Sequence, residues 1–264
     1  MNKRSVLRTL LAAAVFTLMM SIGVWAEAYG PNIQLSTSVL DTDVVATDST
    51  MLHRLEVPSD GVVSFTGVEY SSYSNNKYGL SFSLLSSSFT PINRYGSSST
   101  YVNGADVNSS SFSREYALKR GTYFIRVTNT KYYTIRTLFT AANDQGGLSK
   151  KKAATLKRKA QKSCVFGAGE TYDKAEWFKI NLTKPRKLTL EVTAHGDASY
   201  RVTFSGPKPY KKGDVSYVSS GNVMTAKYWI RRGRKKLKLK KGKYYVKIQR
   251  SSNNVSGYCT VKWW

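Results

Sequence analysis

A ten-residue stretch occurs twice in this chain. Leu118-Lys-Arg-Gly121-Thr-Tyr123-Phe-Ile125-Arg-Val127 returns as Leu239-Lys-Lys-Gly242-Lys-Tyr244-Tyr-Val246-Lys-Ile248, with Leu, Gly, Tyr and the alternating aliphatics matching at an offset of 121. Upstream, Arg54-Leu55-Glu56-Val57 aligns with Lys179-Ile180-Asn181-Leu182, and Val63-Ser-Phe65 with Leu188-Thr-Leu190, both at an offset of 125. Order is kept and the spacing drifts by four residues, so an internal duplication is the economical account. The matched segments alternate: Phe178, Ile180 and Leu182 point one way, Trp177, Lys179 and Asn181 the other. Leu188, Leu190 and Val192 behave likewise, as do Tyr200, Val202 and Phe204, and Leu80, Phe82 and Leu84. A period of two means strands with one face on a core and one in water. Ser, Asn and Gly clusters at 71–76, 97–99, 108–111 and 251–254 separate them. Short strands at such spacing predict an all-β chain of two tandem jelly-roll-like β-sandwich domains. Gly121 and Gly242 fit a turn with positive φ, after which Tyr begins a strand.

Residues 1–28 are read as an export signal and set apart from the fold. Lys3, Arg4 and Arg8 precede a mostly apolar, uncharged run at 10–24, and Ala26-Glu27-Ala28 is a small-x-small cleavage site. A run of about 15 residues falls short of the roughly 20 that a membrane span needs. Cleavage is expected after Ala28, with Ala26 nearly as good. The expectation is a secreted, extracellular protein without a membrane span after cleavage, held to a cell wall, if at all, non-covalently. Charge divides the remainder: residues 29–142 carry 9 Lys and Arg against 8 acids, and residues 143–264 carry 29 against 7. The expected modules are therefore 29–142, neutral and rich in Ser and Tyr, and 163–264, strongly basic. Residues 143–162 join them as a basic linker or lead-in strand; a short helix capped by Ser149 and an extended strand fit that stretch equally.

Tyr172-Asp173-Lys-Ala-Glu-Trp177-Phe178-Lys179-Ile180, an alternating strand, and then Leu239-Lys-Lys-Gly242-Lys-Tyr244-Tyr245-Val246-Lys-Ile248 resemble the bacterial pre-peptidase C-terminal domain. The likeness spans residues 145–264. The first repeat keeps the late element but has Leu52-His53-Arg54 in place of the acidic-aromatic stretch. The resemblance implies a secreted jelly-roll-like sandwich that is non-catalytic and accessory to other exported domains, some members binding matrix protein or polysaccharide. No peptidase domain is expected to accompany it.

Catalytic signatures are absent from the sequence: it has no nucleophile elbow, metalloprotease helix motif or phosphate loop. Of the two histidines, His53 aligns with Phe178 and is expected to pack in a strand; His195, in Ala194-His-Gly-Asp197, is expected in a turn. No enzyme and no cofactor are expected. Asp41, Asp43 and Asp48 offer oxygen ligands for calcium, but their spacing fits no defined loop, and a site needs about six to eight such ligands. Cys164 and Cys259 are the only cysteines. In an oxidising space they can close one disulfide; equally, they can stay buried as small hydrophobes.

The most basic stretch, residues 231–243, holds nine Lys and Arg, among them Arg231, Arg232, Arg234, Lys235, Lys236, Lys238, Lys240 and Lys241. With Leu237 and Leu239 inward, Lys236, Lys238 and Lys240 are expected to project together; Lys157, Arg158, Lys159, Lys208, Lys211 and Lys212 add to the same sign. Such a field concentrates polyanions. Outside a cell these are anionic cell-surface polymers or polysaccharides rather than nucleic acid. In the first half Tyr70, Tyr73, Tyr78, Tyr95 and Tyr101 stand among Ser, Asn and Gly, a composition that adaptable binding loops use. The sequence thus points to a non-catalytic binding protein attached through a basic face to an anionic polymer. The alternative is an accessory or pro-type partner of a separately encoded secreted peptidase.

Overall fold

The computed structural model describes residues 28–70, 77–92, 100–102, 114–232, 234–252 and 255–264. Of the expected signal at 1–28, residues 1–27 lie outside them, and Ala28 lies in the first described strand. The described chain is built of β-strands, and its only helical element is one 3-10 turn, Tyr210–Lys212. The all-β sandwich expected from the alternation is the architecture found.

The first half runs through β1 (Ala28–Tyr29), β2 (Leu40–Val45), β3 (Thr50–Val57), β4 (Gly61–Tyr70), β5 (Lys77–Leu85), β6 (Thr100–Val102), β7 (Arg114–Leu118), β8 (Gly121–Thr128) and β9 (Tyr132–Ala141). The second half contains β10 (Ala154–Thr155), β11 (Gln161–Phe166), β12 (Ala175–Leu182), β13 (Leu188–Gly196), β14 (Tyr200–Ser205), β15 (Asp214–Val218), β16 (Val223–Tyr228), β17 (Ile230–Arg232), β18 (Lys235–Leu237), β19 (Gly242–Arg250) and β20 (Gly257–Trp263). In the second half a five-stranded sheet, β10-β12-β19-β14-β15, faces a four-stranded one, β11-β20-β13-β16. In the first half β1-β3-β8-β5, with β6 on β5, corresponds to the former, and β2-β9-β4, with β7 on β4, to the latter. There the two sheets are continuous, because Val68–Tyr70 of β4 pairs with Lys77–Gly79 of β5. Each half opens with a short parallel edge strand, β1 on β3 and β10 on β12.

The registers repeat as well. Leu55 lies opposite Tyr123 and Val57 opposite Gly121; Ile180 lies opposite Tyr244 and Leu182 opposite Gly242. Gly121 and Gly242 have φ of +154° and +157°, a region that L side chains rarely adopt. The tyrosine two residues on closes the same loop each time: Tyr123 donates its hydroxyl to the Lys119 carbonyl at 3.1 Å, and Tyr244 donates to Lys240 at 3.0 Å. Leu118, Leu239, Ile125 and Val246 are fully buried. Tyr244 is buried among Phe204 and its neighbours, whereas Tyr123 is half-buried at the rim of the first core.

Residues 143–162 form neither a free linker nor a helix. Gly147 exchanges two backbone hydrogen bonds with Trp177, Gln145 bonds to Ser163, and β10 extends the sheet beyond β12. The segment is extended because its backbone groups pair with the sheet edge. Leu237 also departs from expectation. It is 40% exposed, since β18 pairs with β17 as a separate two-stranded ribbon and does not enter the sandwich; Leu239, two residues on, is buried.

The halves touch. Val165 packs with Val62, Ala117 and Ala142. Ala168 N–H donates to the Ala117 carbonyl at 2.7 Å, and Ala117 N–H to Ser256 Oγ at 3.0 Å. Lys119 bridges Asp60, at 3.3 Å, and Asp144.

Candidate polyanion-binding surface

The basic stretch folds into the β17–β18 hairpin and the chain that leads from it into β19. Ile230 faces Leu237, Arg231 faces Lys236 and Arg232 faces Lys235, with Arg234 in the turn. Like charges directly opposed across a strand pair destabilise it. This ribbon carries two such pairs, and no Asp or Glu occurs after Asp214 in the sequence. Arg231, Arg232, Arg234, Lys235, Lys236, Lys238, Lys240 and Lys241 are all exposed. Lys236 places Nζ 4.5 Å from the ring centre of Trp229 at the hairpin base. Tyr210 anchors that base: its hydroxyl donates to the Trp229 carbonyl at 2.8 Å and accepts from Trp229 N–H at 3.2 Å. Lys208, Lys211 and Lys212 around the 3-10 turn therefore flank the hairpin.

A recess of about 270 Å³ continues the positive surface, with Lys157, Arg158, Lys184, Arg186 and Trp263 in its lining. Arg186 exchanges backbone hydrogen bonds with Leu239 at 3.0 and 2.7 Å. The cations of 238–241 thus lie beside those of the recess. Lys184 and Arg186 were not singled out from the sequence, because they sit in the β12–β13 connection, far along the chain from the basic run; only the Arg186–Leu239 bridge joins the two.

Of the first half's tyrosines, Tyr70 and Tyr78 do not share a face. Glu69 pairs with Tyr78 and Tyr70 with Lys77, so Tyr70 and Tyr78 emerge on opposite faces of the β4–β5 pair. Tyr70 contacts Thr134 Oγ1 at 3.2 Å. Tyr101 pairs with Ser81 in β6. Tyr73 and Tyr95 lie outside the described residues.

His53 is buried, with Nδ1 2.9 Å from the Pro31 carbonyl and Nε2 2.6 Å from the Tyr133 hydroxyl. Burial holds its pKa below the usual imidazole value. His195 lies in β13 rather than in a turn and stacks on Tyr258 at 4.3 Å, the two being cross-strand partners. Asp41 receives two hydrogen bonds from Arg136 at 2.6 and 2.8 Å, which lower its pKa. Asp43 accepts from Thr134 Oγ1 at 2.5 Å, and Asp48 from Ser49 N–H at 2.6 Å. The first two lie on β2 with protein partners, and Asp48 lies in the turn beyond. Cys164 and Cys259 are direct cross-strand partners with sulfurs 2.9 Å apart, both fully buried. Burial pushes the Cys164 thiol well above the ordinary range.

No family model matches the chain, and no curated protein matches it. Solved structures are similar at low identity. The pre-peptidase C-terminal domain of collagenase from Bacillus anthracis is 12% identical over 47% of this chain and 100% of its own, with a TM-score of 0.33. The N-terminal CBM22-1–CBM22-2 tandem of Paenibacillus barcinonensis Xyn10C is 10% identical over 80% and 82%, with a TM-score of 0.24. The CUB1-EGF-CUB2 domains of rat MASP-1 are 7% identical over 89% and 99%, with a TM-score of 0.25. Scores of this size assign neither a ligand nor an activity to this chain.

Proposed function

We propose that this is an exported, non-catalytic binding protein of the pre-peptidase C-terminal type. It attaches non-covalently, through the β17–β18 hairpin and the cations around it, to an anionic cell-surface polymer or polysaccharide. The observation that carries the reading is the hairpin itself. Two like-charged cross-strand pairs stand on an exposed ribbon, in a stretch of chain without acidic residues. A cluster of this sign concentrates anions from outside, and each contact releases counterions. The engagement of both histidines by neighbouring groups supports a non-catalytic role.

The test is binding of the mature chain to a phosphodiester wall polymer and to polygalacturonate across a salt series. Changing Arg231, Arg232, Arg234, Lys235 and Lys236 together to Gln should weaken binding to both. It should also make the salt dependence shallower by up to roughly three units of log–log slope. Lys236→Gln alone should change affinity by about two-fold or less, because exposed charges are screened over about 8 Å at physiological salt. Equal binding and equal salt slopes for the five-fold variant and the wild type would refute the attachment role of the hairpin.

A further inference from the structure

The register of the five-stranded sheet assembles a second surface, which no single segment of the sequence displays. On the side away from the core, Trp177 of β12 lies opposite Lys247 of β19, which lies opposite Thr203 of β14, itself opposite Val215 of β15. One row along, Lys179 faces Tyr245 and Tyr245 faces Ser205. On the other side of the central row, Gln249, Arg201 and Tyr217 stand in line, and Lys243 opposite Asn181 closes the far end. The strands of this face carry three aromatic rings and four cations, and among the described residues no carboxylate projects from them. Tyr217 is 65% exposed, while Trp177, Tyr245 and Lys247 are half-buried. Two rings have cations over them: Lys247 Nζ is 5.6 Å from the centre of Trp177, and Lys150 Nζ is 4.9 Å from that of Tyr245.

The equivalent face of the first half is closed. Leu52 and Phe124 occupy the positions of Trp177 and Tyr245, and both are buried with Leu85 in an apolar cluster. Phe89, in the turn after β5, stacks on Phe124 at 4.5 Å and covers it. The second half has kept the positions, carries Trp177 for Leu52 and Tyr245 for Phe124, retains cations at Lys179 and Lys247 where the first half has Arg54 and Arg126, and has left the face open. Beside Trp177 the surface dips into a depression of about 450 Å³, reached also by Leu148 and Lys150, with Asp173 at its rim.

We propose that this face is a binding platform for an extended acidic polysaccharide. Pyranose rings stack on Trp177, Tyr245 and Tyr217, and their carboxylates or other anionic groups are met by Lys179, Lys247, Arg201 and Lys243. Aromatic faces carry the negative side of a quadrupole and attract the polarised C–H face of a sugar. Trp177 and Tyr245 are diagonal neighbours on adjacent strands, about 7–8 Å apart in such a register, so both rings can lie under one extended chain. Charge complementarity selects an acidic glycan over a neutral one. Interleaved cations break up the apolar patch that a lipid surface would need. Burial and the neighbouring Arg201 lower the pKa of Lys247, as expected where cations crowd without a counter-ion. The surface is separate from the hairpin and stands or falls independently of it.

The experiment measures the mature chain against a galacturonate oligosaccharide, against polyphosphate of equal charge, and against a single-stranded oligonucleotide. Trp177→Ala with Tyr245→Ala should lose at least tenfold in affinity for the oligogalacturonate and leave polyphosphate binding within about two-fold of wild type. Tyr217→Ala and Lys247→Gln, at solvent-facing positions that preserve folding, should each lose several-fold for the sugar alone. The five-fold hairpin variant should show the opposite pattern, losing polyphosphate first. The proposal is overturned if the aromatic variants bind oligogalacturonate as wild type does, or if they lose polyphosphate equally. It is also overturned if the oligonucleotide binds more tightly than the sugar and depends on the same rings.

Discussion

Glu176 occupies the position that Met51 fills in the first repeat, each on the core-facing side of the strand that pairs with the Leu-x-x-Gly-x-Tyr element. A buried methionine has thus been replaced by a carboxyl group. Its two oxygens lack hydrogen-bond partners, and the nearest cation, Lys174 Nζ, is 3.6 Å away. Burial and the nearby Asp144 raise its pKa to about 7. Burying a charge is costly unless it is paired and hydrogen-bonded, so the protonated form suits this site. In the unfolded chain the same carboxyl ionises near its ordinary value of 4.5. Its neutral form therefore supports folding fully below about pH 4.5, and that support fades as pH rises through about 7. The loss by pH 8 should amount to up to roughly 3 kcal/mol. Thermal unfolding of the wild type between pH 4 and 8 should show a Tm that falls between about pH 4.5 and 7 and levels off above it, and Glu176→Gln should flatten the fall. An unchanged pH profile in the variant would mean that the carboxylate finds compensation in the folded state.

At the scale of elements, β11 and β20 are the first antiparallel strand and the last strand of the second half, and Cys164 and Cys259 join them as direct partners. Opposed residues of an antiparallel pair have Cα atoms about 4.5–5.5 Å apart, inside the range a disulfide spans. In an oxidising compartment the pair should be found as a disulfide, read as a mass two hydrogens lower before reduction than after. A bridge closing a loop of this length should stabilise the fold by about 4.7 kcal/mol in the chain-entropy account. Recovery of two free thiols from protein isolated without reductant would contradict this. That these strands would exist was legible in the sequence. A strand buried on one face writes its period into the residues, and β12, β13 and β14 show that period plainly. The meaning of Leu237 was not legible, because Leu alternating with Lys reads the same on a sandwich strand and on a projecting ribbon, and only the partner strand tells them apart. Trp177 and Lys179 could be assigned to an outward face from alternation alone. That Lys247, Arg201 and Tyr217 join them depends on the order β12-β19-β14-β15, which no local pattern carries. The fate of residues 143–162 was open for the same reason: their backbone partners lie on β12 and β11.

At the scale of the molecule, the two halves repeat one topology, but their mutual contact is made by residues outside that symmetry. Val165 lies on the outward side of β11, where a sandwich strand would ordinarily carry a polar residue, yet it is fully buried against Val62, Ala117 and Ala142. Ala117 contributes its carbonyl to Ala168 and its N–H to Ser256, tying β7 to two loops of the second half. Lys119 adds ion pairs to Asp60 and Asp144 on either side of the junction. An apolar patch framed by hydrogen bonds couples the unfolding of two modules, because neither can open without exposing its share of the patch. Calorimetry of the wild type should accordingly give one transition, with the calorimetric and van't Hoff enthalpies in agreement. Val165→Lys, made from one side of the junction, and Ala117→Lys, made from the other, each bury an unpaired charge there. Each should destabilise the chain by roughly 3 kcal/mol and resolve two transitions. The two together should cost less than the sum of their separate effects, since both break the same contact. If each variant merely lowers a single Tm and the two effects add, the halves unfold together for a reason other than this patch.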